Sequence, residues 1–227
     1  MKRLCLVLAA LVAAGGVFLI VRAQQDTAPA PARDGGDAVA VANLIYAGTK
    51  SSVCFSERFL SVVARDSTIN TARKFKPVKL ADRELFQYPF AIMTGEGSFT
   101  LTEPERANMR RYLERGGFLL ASAGCSSSLW DKSFRREFDV IFPDEKLEPI
   151  PMDHEIFRTI YTIKKLKTRG SEAKLEGLTL NGKIVLVYTS DGLNDTHTMH
   201  GCCCCGGNEI ANSQQVNANI LAYALLQ

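Results

Sequence analysis

The sequence predicts a single α/β domain in which helices cover both faces of a mainly parallel sheet. Short apolar runs rich in β-branched or aromatic residues alternate along the chain with stretches that repeat apolar residues at helical spacing. This alternation is typical of parallel sheets, because each crossover between parallel strands usually requires a helix. About 190 residues follow position 38, a length that suits one domain with one core.

Four runs are predicted as buried strands. They are short and apolar, which is typical of strands that are covered on both faces. In a parallel sheet their carboxyl ends meet at one edge, and ligands bind at that edge in open α/β sheets. The runs are residues 39–46, 90–94, 118–123 and 184–188.

Four helices are predicted between and after these strands. The clearest begins at Thr102, where a capping box with Pro104 in the first turn precedes apolar residues, and it ends at the glycine pair 116–117. The others are recognised by apolar side chains at helical spacing, which we expect to form the core. The apolar stripes of the four helices are Phe55, Phe59, Leu60 and Val63; Met109, Tyr112 and Leu113; Trp130, Phe134, Phe138, Ile141 and Phe142; and Val216, Ile220 and Tyr223, after a start near Ser213.

The first 23 residues predict export. Lys2 and Arg3 precede an uncharged run of 18 residues, Leu4 to Val21, and small residues stand three and one positions before the bond that follows Ala23. A basic start, an apolar core and this cleavage pattern are typical of a secretory signal peptide, which we expect to be cut after Ala23. The alternative is an uncleaved membrane anchor, because 18 apolar residues are enough for a short spanning helix.

Export determines the expected location and organisation of the chain. The cleaved protein would be periplasmic or extracellular, and an uncleaved one would be held at the inner membrane by residues 4–21, its only predicted membrane contact. Residues 24–38 contain alternating Ala and Pro and an Asp-Gly-Gly piece, and they are predicted to be a flexible spacer. Residues 39–227 then form the single α/β domain.

The distribution of charge argues against nucleic acid as a partner. The chain has 27 Lys and Arg against 24 Asp and Glu, a net charge of +3. The three excess cations, Lys2, Arg3 and Arg22, all lie in the predicted signal segment, so the body of the protein is neutral. A surface that binds phosphate backbones would need basic residues in the body.

From Leu80 onward the sequence resembles a known family. The matching pieces are the YPF-x3-TGxG pattern at residues 88–97, the run at 109–120 and the DH-x-IF pattern at 153–157. They resemble the bacterial domain-of-unknown-function family numbered 4159, over roughly residues 43–226. That family is similar in fold to class I glutamine-amidotransferase-like domains, so the resemblance implies a flavodoxin-like three-layer sandwich. It implies no activity, because fold does not determine function.

Residues 94–97, Thr-Gly-Glu-Gly, follow a predicted strand and precede a helix. Glycines at this edge let backbone N–H groups approach a ligand, although the spacings of dinucleotide and P-loop motifs are absent. The other interpretation is a tight turn that needs glycine conformations. The family commonly has His where this chain has Glu96, so Glu96 is the group here that could accept a proton or hold a cation. The predicted ligand-binding residues are Thr94, Gly95, Glu96, Gly97, Asp153 and His154.

Cys125 lies directly after the next predicted strand, where amidotransferase-like folds place their nucleophile. A thiolate at a helix N-terminus has a lowered pKa, but the usual G-x-C-x-G pattern is absent, so a disulfide or a buried thiol is the favoured interpretation. Catalysis would also need a base. His154 follows Asp153, which could orient its imidazole, although a histidine that satisfies backbone groups in a turn is the favoured interpretation. The catalytic candidates are Cys125, Glu96 and His154.

Residues 197–205 combine two histidines with four consecutive cysteines. Imidazole and thiolate are ligands for zinc and copper(I), although the paired CxxC spacing of a zinc ribbon is missing. Signal cleavage would remove Cys5 and leave six cysteines, an even number in an oxidising compartment, so disulfides that include Cys54 or Cys125 are favoured over metal ligation and over reactive thiols. The metal-ligand candidates are His197, His200, Cys202, Cys203, Cys204 and Cys205.

Taken together, these patterns favour an exported α/β binding or accessory module for an unknown ligand or envelope protein over an enzyme. No resident cofactor is expected. The first alternative is a thiol- or carboxylate-assisted hydrolase or transferase that uses Cys125 or Glu96 with His154. The second alternative is a metal-binding protein that holds zinc or copper through residues 197–205.

Overall fold

The computed structural model describes residues 38–52, 54–168, 170–195 and 207–227. Every described residue belongs to one compact unit, Asp34–Gln227. A seven-stranded, mostly parallel sheet lies between two helical layers, so the predicted three-layer α/β sandwich is confirmed. The strands are β1 (Val41–Ile45), β2 (Lys76–Lys79), β3 (Phe90–Gly95), β4 (Phe118–Ala123), β5 (Glu148–Pro149), β6 (Glu176–Leu180) and β7 (Lys183–Thr189). The helices are α1 (Arg58–Asp66), α2 (Glu103–Glu114), α3 (Ser128–Ile141) and α4 (Ser213–Leu226).

The sheet has the strand order β2-β1-β3-β4-β7-β6-β5. The first five strands in this order are parallel, whereas β6 and β5 are antiparallel to their neighbours and extend one edge. The β6–β7 hairpin turns through Asn181 and Gly182, which both have positive φ angles, as a tight hairpin turn requires. The four predicted strands are confirmed in the parallel part, whereas the parallel edge strand β2 and the antiparallel strands β5 and β6 are additions that the apolar runs did not indicate.

Two apolar layers fill the space between the sheet and its helices. Along β3, Phe90 and Ile92 point to the layer beneath α1 and α4, while Ala91 and Met93 point to the layer beneath α2 and α3. The predicted helical stripes lie in these layers: Phe59, Leu60 and Val63 of α1 and Val216 and Ile220 of α4 in the first, and Met109 and Leu113 of α2 and Trp130, Phe134 and Phe138 of α3 in the second.

The predicted capping box starts α2. The Thr102 N–H donates to Glu105 Oε2 at 2.7 Å, and the other Glu105 oxygen accepts from the Ala47 N–H at 2.7 Å. One carboxylate therefore caps α2 and fixes the loop after β1. The helix ends before Gly116, whose φ of +91° favours glycine.

The two edges of the sheet are short strands of similar character. The edge strand β2 has the sequence Lys-Pro-Val-Lys, and only Val78 is buried. The opposite edge strand, β5, is the exposed pair Glu148 and Pro149. Among the described residues, no helix has the length and apolarity needed to cross a membrane.

Candidate functional site

A cavity of about 190 Å³ opens at the carboxyl ends of the parallel strands. Its walls come from the loops that follow β1, β3, β4 and β7, the edge at which open α/β sheets bind ligands. The volume lies below the roughly 300–1,000 Å³ of typical drug-sized pockets, so the cavity suits a small ligand. We call it the strand-end cavity; it is lined by Ser51, Ser52, Cys54, Thr94, Gly95, Glu96, Gly124 and Asn194.

Two buried hydroxyls lie side by side at the ends of β3 and β4. Thr94 and Ser122 are in register on neighbouring strands, and the alternation of each strand directs both toward the α1 and α4 layer. Thr94 is 3% exposed, and neither Thr94 Oγ1 nor Ser122 Oγ has a hydrogen-bond partner among the described residues. Because a buried polar group without a partner costs roughly 1–3 kcal/mol, the Thr94 hydroxyl in the cavity wall is a group that a polar ligand would satisfy.

The backbone of Thr94 is fixed from two sides. Its N–H donates to Ser52 Oγ at 2.9 Å, and its carbonyl accepts from the Tyr46 hydroxyl at 3.0 Å. The Ser52 backbone in turn pairs with the Asn43 side chain through bonds of 3.2 and 3.3 Å. The Thr94 side chain is therefore carried by a backbone whose own polar groups are satisfied.

The glycine at position 95 is required by packing. A Cβ there would overlap the Tyr46 hydroxyl and lie 3.1 Å from Trp130 Nε1. The Trp130 indole N–H donates to the Tyr46 hydroxyl at 2.7 Å, and burial raises the pKa of Tyr46 to about 12. Tyr46 is therefore a neutral donor at physiological pH, and it occupies the space that a side chain at position 95 would need.

Glu96 and Gly97 have different positions in this loop. Glu96 is exposed at the cavity and has no ion-pair partner among the described residues. Gly97 does not line the cavity; it has a φ of +70°, and its N–H donates to Ser127 Oγ at 3.1 Å. The turn interpretation therefore describes Gly97, while Thr94, Gly95 and Glu96 lie on the cavity.

Cys125 follows the cavity residue Gly124 at the turn between β4 and α3. Both Cys125 and Ser126 have left-handed backbones, with φ angles of 51° and 53°, which is uncommon for residues other than glycine. The Cys125 side chain is half-buried and is not part of the cavity lining. The backbone of Cys125 packs tightly against Gly207, where any side chain would overlap the Cys125 carbonyl.

The structure places His154 at the end of the sheet where the parallel strands begin, opposite the strand-end cavity. Its Nδ1 accepts from the Ile156 N–H at 3.2 Å, and its ring lies 5.5 Å from that of Tyr223. The Tyr223 ring contacts Phe118, the first residue of β4, whereas the cavity follows the last residue of that strand. A strand of six residues extends about 20 Å. Asp153 and His154 are therefore not brought together with residues 94–97 or with Cys125.

The comparison with protein families decides which family the chain represents. The sequence profile described as "Domain of unknown function (DUF4159)" matches residues 41–225, from the first residue of β1 into the last turn of α4. The chain belongs to the DUF4159 family. The match includes every residue that lines the strand-end cavity, and a search of curated proteins finds none that matches the chain.

A second polar network connects three loops of this DUF4159 domain near the cavity. The Asn208 side-chain amide donates to Asp191 Oδ1 at 2.7 Å and to the Ser171 carbonyl at 3.0 Å, and the Asn208 backbone N–H donates to Ser126 Oγ at 2.8 Å. Burial raises the pKa of Asp191. Asn208 therefore ties the turn next to Cys125 to the loops before β6 and after β7.

The predicted metal-ligand candidates of the DUF4159 domain fall on residues 196–206, outside the described part of the chain. They are His197, His200 and Cys202 to Cys205. Within the described residues, no group of three or more His, Cys, Asp or Glu side chains is arranged to hold a metal ion. Asn194 lines the cavity and Gly207 packs on Cys125, so the described residues on either side of this segment both lie at the strand-end edge.

The predicted ligand-binding residues include three of the eight residues that line the cavity. Thr94, Gly95 and Glu96 were predicted as ligand residues, whereas Ser51, Ser52 and Asn194 were not. The loop after β3 was selected because ligands bind at the carboxyl ends of parallel strands. The same rule applies to the loop after β1, which contains Ser51 and Ser52. A signal for Ser51 and Ser52 was therefore present in the sequence.

Proposed function

We propose that this DUF4159 domain is a binding module, on an exported chain, that holds a small polar ligand in the strand-end cavity. The observation that carries the proposal is the Thr94 hydroxyl, which is buried in the cavity wall and has no hydrogen-bond partner among the described residues. A ligand with a donor or acceptor at this point would satisfy it. The serine hydroxyls and the Asn194 amide of the same cavity supply further polar groups for orientation.

The fold supports this proposal. The parallel strands have the order 2-1-3-4 followed by a fifth parallel strand, as in flavodoxin-like sheets, whose ligands bind at the carboxyl ends of the strands. We extend the proposal to a distant structural relationship with glutamine-amidotransferase-like domains, which rests on the sequence resemblance. Catalysis with His154 is not supported, because this imidazole lies at the other edge of the sheet.

The test compares Thr94→Val with Thr71→Val in a thermal-shift screen of small sugars, amino acids, amines and carboxylates. Both threonines are 3% exposed, but Thr71 donates to the Leu60 carbonyl at 2.7 Å, away from the cavity. We expect at least one compound to stabilise the wild-type protein and the T71V protein alike. The T94V protein should bind that compound roughly tenfold more weakly, because one buried hydrogen bond is lost. A screen without a binder, or equal binding by T94V, contradicts the proposal.

A second candidate function is thiol-dependent catalysis at Cys125. It is supported by the consecutive left-handed residues Cys125 and Ser126 at a strand-to-helix turn, a position where strained nucleophiles occur. Peptide-resolved labelling with iodoacetamide across pH tests it. An activated thiolate would be labelled half-maximally below about pH 7.5, whereas half-maximal labelling near pH 8.5 is the behaviour of an ordinary cysteine.

A further inference from the structure

The charge of the strand-end cavity indicates the class of its ligand, if the domain is a binding module as proposed. Glu96 is the one charged side chain among the described residues that line it, and no Lys, Arg or His belongs to that lining. Because Glu96 has no ion-pair partner among the described residues, its negative charge is not neutralised within this part of the protein. A negative ligand would be repelled, and a positive group would be attracted.

Helix N-termini do not reverse this preference. Four helices begin where the parallel strands end, and such termini attract anions when their N–H groups lack partners. At three of them a side chain accepts from the first turn or the N-cap: Ser56 Oγ accepts from the Arg58 N–H at α1, the Glu105 carboxylate caps α2, and Ser127 Oγ accepts from the Trp130 N–H at α3. At α4 the first N–H, of Ser213, donates to the Ile210 carbonyl at 3.0 Å. These caps satisfy donors that an anion would otherwise use.

The deeper wall of the cavity has a different character. The Thr94 hydroxyl is neutral and can either donate or accept a hydrogen bond, and Ser122 lies beside it in register. A ligand that reaches from Glu96 to Thr94 therefore meets a carboxylate at one end and a hydroxyl at the other. We infer that the strand-end cavity selects a small cationic ligand, with a primary ammonium group at Glu96 and a hydroxyl group at Thr94.

Three two-carbon probes test the charge preference because they share a hydroxymethyl group. They are ethanolamine, ethylene glycol and glycolate, which are cationic, neutral and anionic at neutral pH. Titrations of the purified full-length chain are followed by the NMR amide shifts of Gly95 and Gly124, which line the cavity. We expect ethanolamine to bind most tightly and glycolate most weakly, with a preference that decreases as salt increases. Tightest binding of glycolate, or equal affinity for all three, overturns the inference.

The substitution Glu96→Gln tests whether the Glu96 carboxylate causes the preference for a cationic probe, and Glu145→Gln is the control. Glu145 is exposed in the turn after α3, at the opposite edge of the sheet, and its substitution changes the net charge by the same amount. E96Q should weaken ethanolamine binding by about twofold to fivefold, the range for an exposed charge pair, and leave ethylene glycol binding unchanged. E145Q should change neither affinity. An E96Q protein that binds ethanolamine as the wild type does overturns the inference.

The outcomes separate this inference from the proposed function. If the probes bind without a charge preference and Thr94→Val weakens each of them, the binding module is supported and the cationic class is wrong. If none of the three probes binds, but Thr94→Val weakens the binding of another compound from the screen, the binding module is again supported and the cationic class is wrong. If no compound of either set binds, both the proposed function and the ligand class are wrong.

Discussion

The indole N–H of Trp130 donates to the hydroxyl oxygen of Tyr46 at 2.7 Å, across 84 residues of sequence. Both side chains are fully buried, and the Tyr46 hydroxyl in turn donates a hydrogen bond to the Thr94 carbonyl at 3.0 Å. The first turn of α3, the residue after β1 and the end of β3 are thus joined by two hydrogen bonds. The position of the Thr94 hydroxyl, which we propose binds the ligand, therefore depends on Trp130 and Tyr46.

A double-mutant cycle between Tyr46→Phe and Gly95→Ala should reveal this relationship. Y46F alone should lower the free energy of unfolding by about 1–3 kcal/mol, because it leaves the Trp130 N–H without its acceptor and removes the shorter of two hydrogen bonds to the Thr94 carbonyl. G95A should cost less in the Y46F background, because the hydroxyl that its Cβ would overlap is gone. Denaturant unfolding should give a coupling energy of about 0.5–3 kcal/mol.

The control for this cycle is Gly97→Ala. Gly97 has a positive φ and open space around its Cα, so its replacement should cost about 1–2 kcal/mol of backbone strain in either background. Additive effects of G95A and Y46F, or coupling of the same size for G97A, would show that the Tyr46 hydroxyl does not determine the residue at position 95.

Stability should fall at alkaline pH in a way that depends on Tyr46. Its pKa is raised to about 12 in the folded protein by burial, from the usual value near 10. Between these values the unfolded chain loses the proton and the folded one keeps it, so the unfolded state is favoured as pH rises. The loss should reach about 2–3 kcal/mol by pH 12 and be absent below pH 10. The difference between the unfolding midpoints of wild type and Y46F should be smaller at pH 11.5 than at pH 9. The same difference at both pH values would show that Tyr46 is not the group that causes the loss.

Local sequence signals predicted the centre of this fold well. The capping box at Thr102 and the glycine stop at Gly116 place α2 correctly, because both act within a few residues of the helix end. The apolar runs predicted β3 and β4 for the same reason. The strand β6, which lies between β7 and the edge strand β5, was missed because its only large apolar residues, Leu178 and Leu180, are separated by Thr179 and preceded by Glu176 and Gly177. The Asn-Gly dipeptide that follows β6 is nevertheless a hairpin signal.

The candidate site was harder to predict, because it depends on where loops meet. The loop after β3 was found from strand ends alone, which requires only the parallel topology. His154 is a predicted ligand residue because Asp153 could orient its imidazole, yet the His154 ring packs on Tyr223 near the other end of β4. No local pattern around residue 154 specifies that edge, since the contact comes from a helix about 70 residues later in the chain.

The packing of α2 gives a direct stability prediction. Leu113 is 1% exposed against the sheet, so Leu113→Ala should lower the free energy of unfolding by about 2–5 kcal/mol through lost burial and a cavity. Leu129→Ala is the matched control, because Leu129 on α3 is 57% exposed and its truncation should change stability by less than about 0.5 kcal/mol. Urea denaturation measures both, and equal midpoints for L113A and wild type would place this face of α2 in solvent.

The state of the cysteines stays a prediction that one sample can test. Protein purified from its native host should begin at Gln24, and intact mass spectrometry would show this directly. Six cysteines then remain, and thiol titration of the denatured, unreduced protein should find zero or two free thiols and no bound metal. Six thiols with about one zinc or copper ion would instead assign a metal site to residues 197–205, and an intact Met1 chain in the membrane fraction would mean an anchor.

The residues of the edge strands β2 and β5 determine whether a strand of another molecule can pair with this sheet. Pro77 and Pro149 have no N–H to offer, and the neighbouring Lys76, Lys79 and Glu148 are charged and exposed. A strand from another chain that aligned with either edge would therefore find an incomplete ladder and a charged side chain that must leave water. Polymerisation through open sheet edges is disfavoured at both ends, so concentrated solutions of the folded domain should stay free of fibrils.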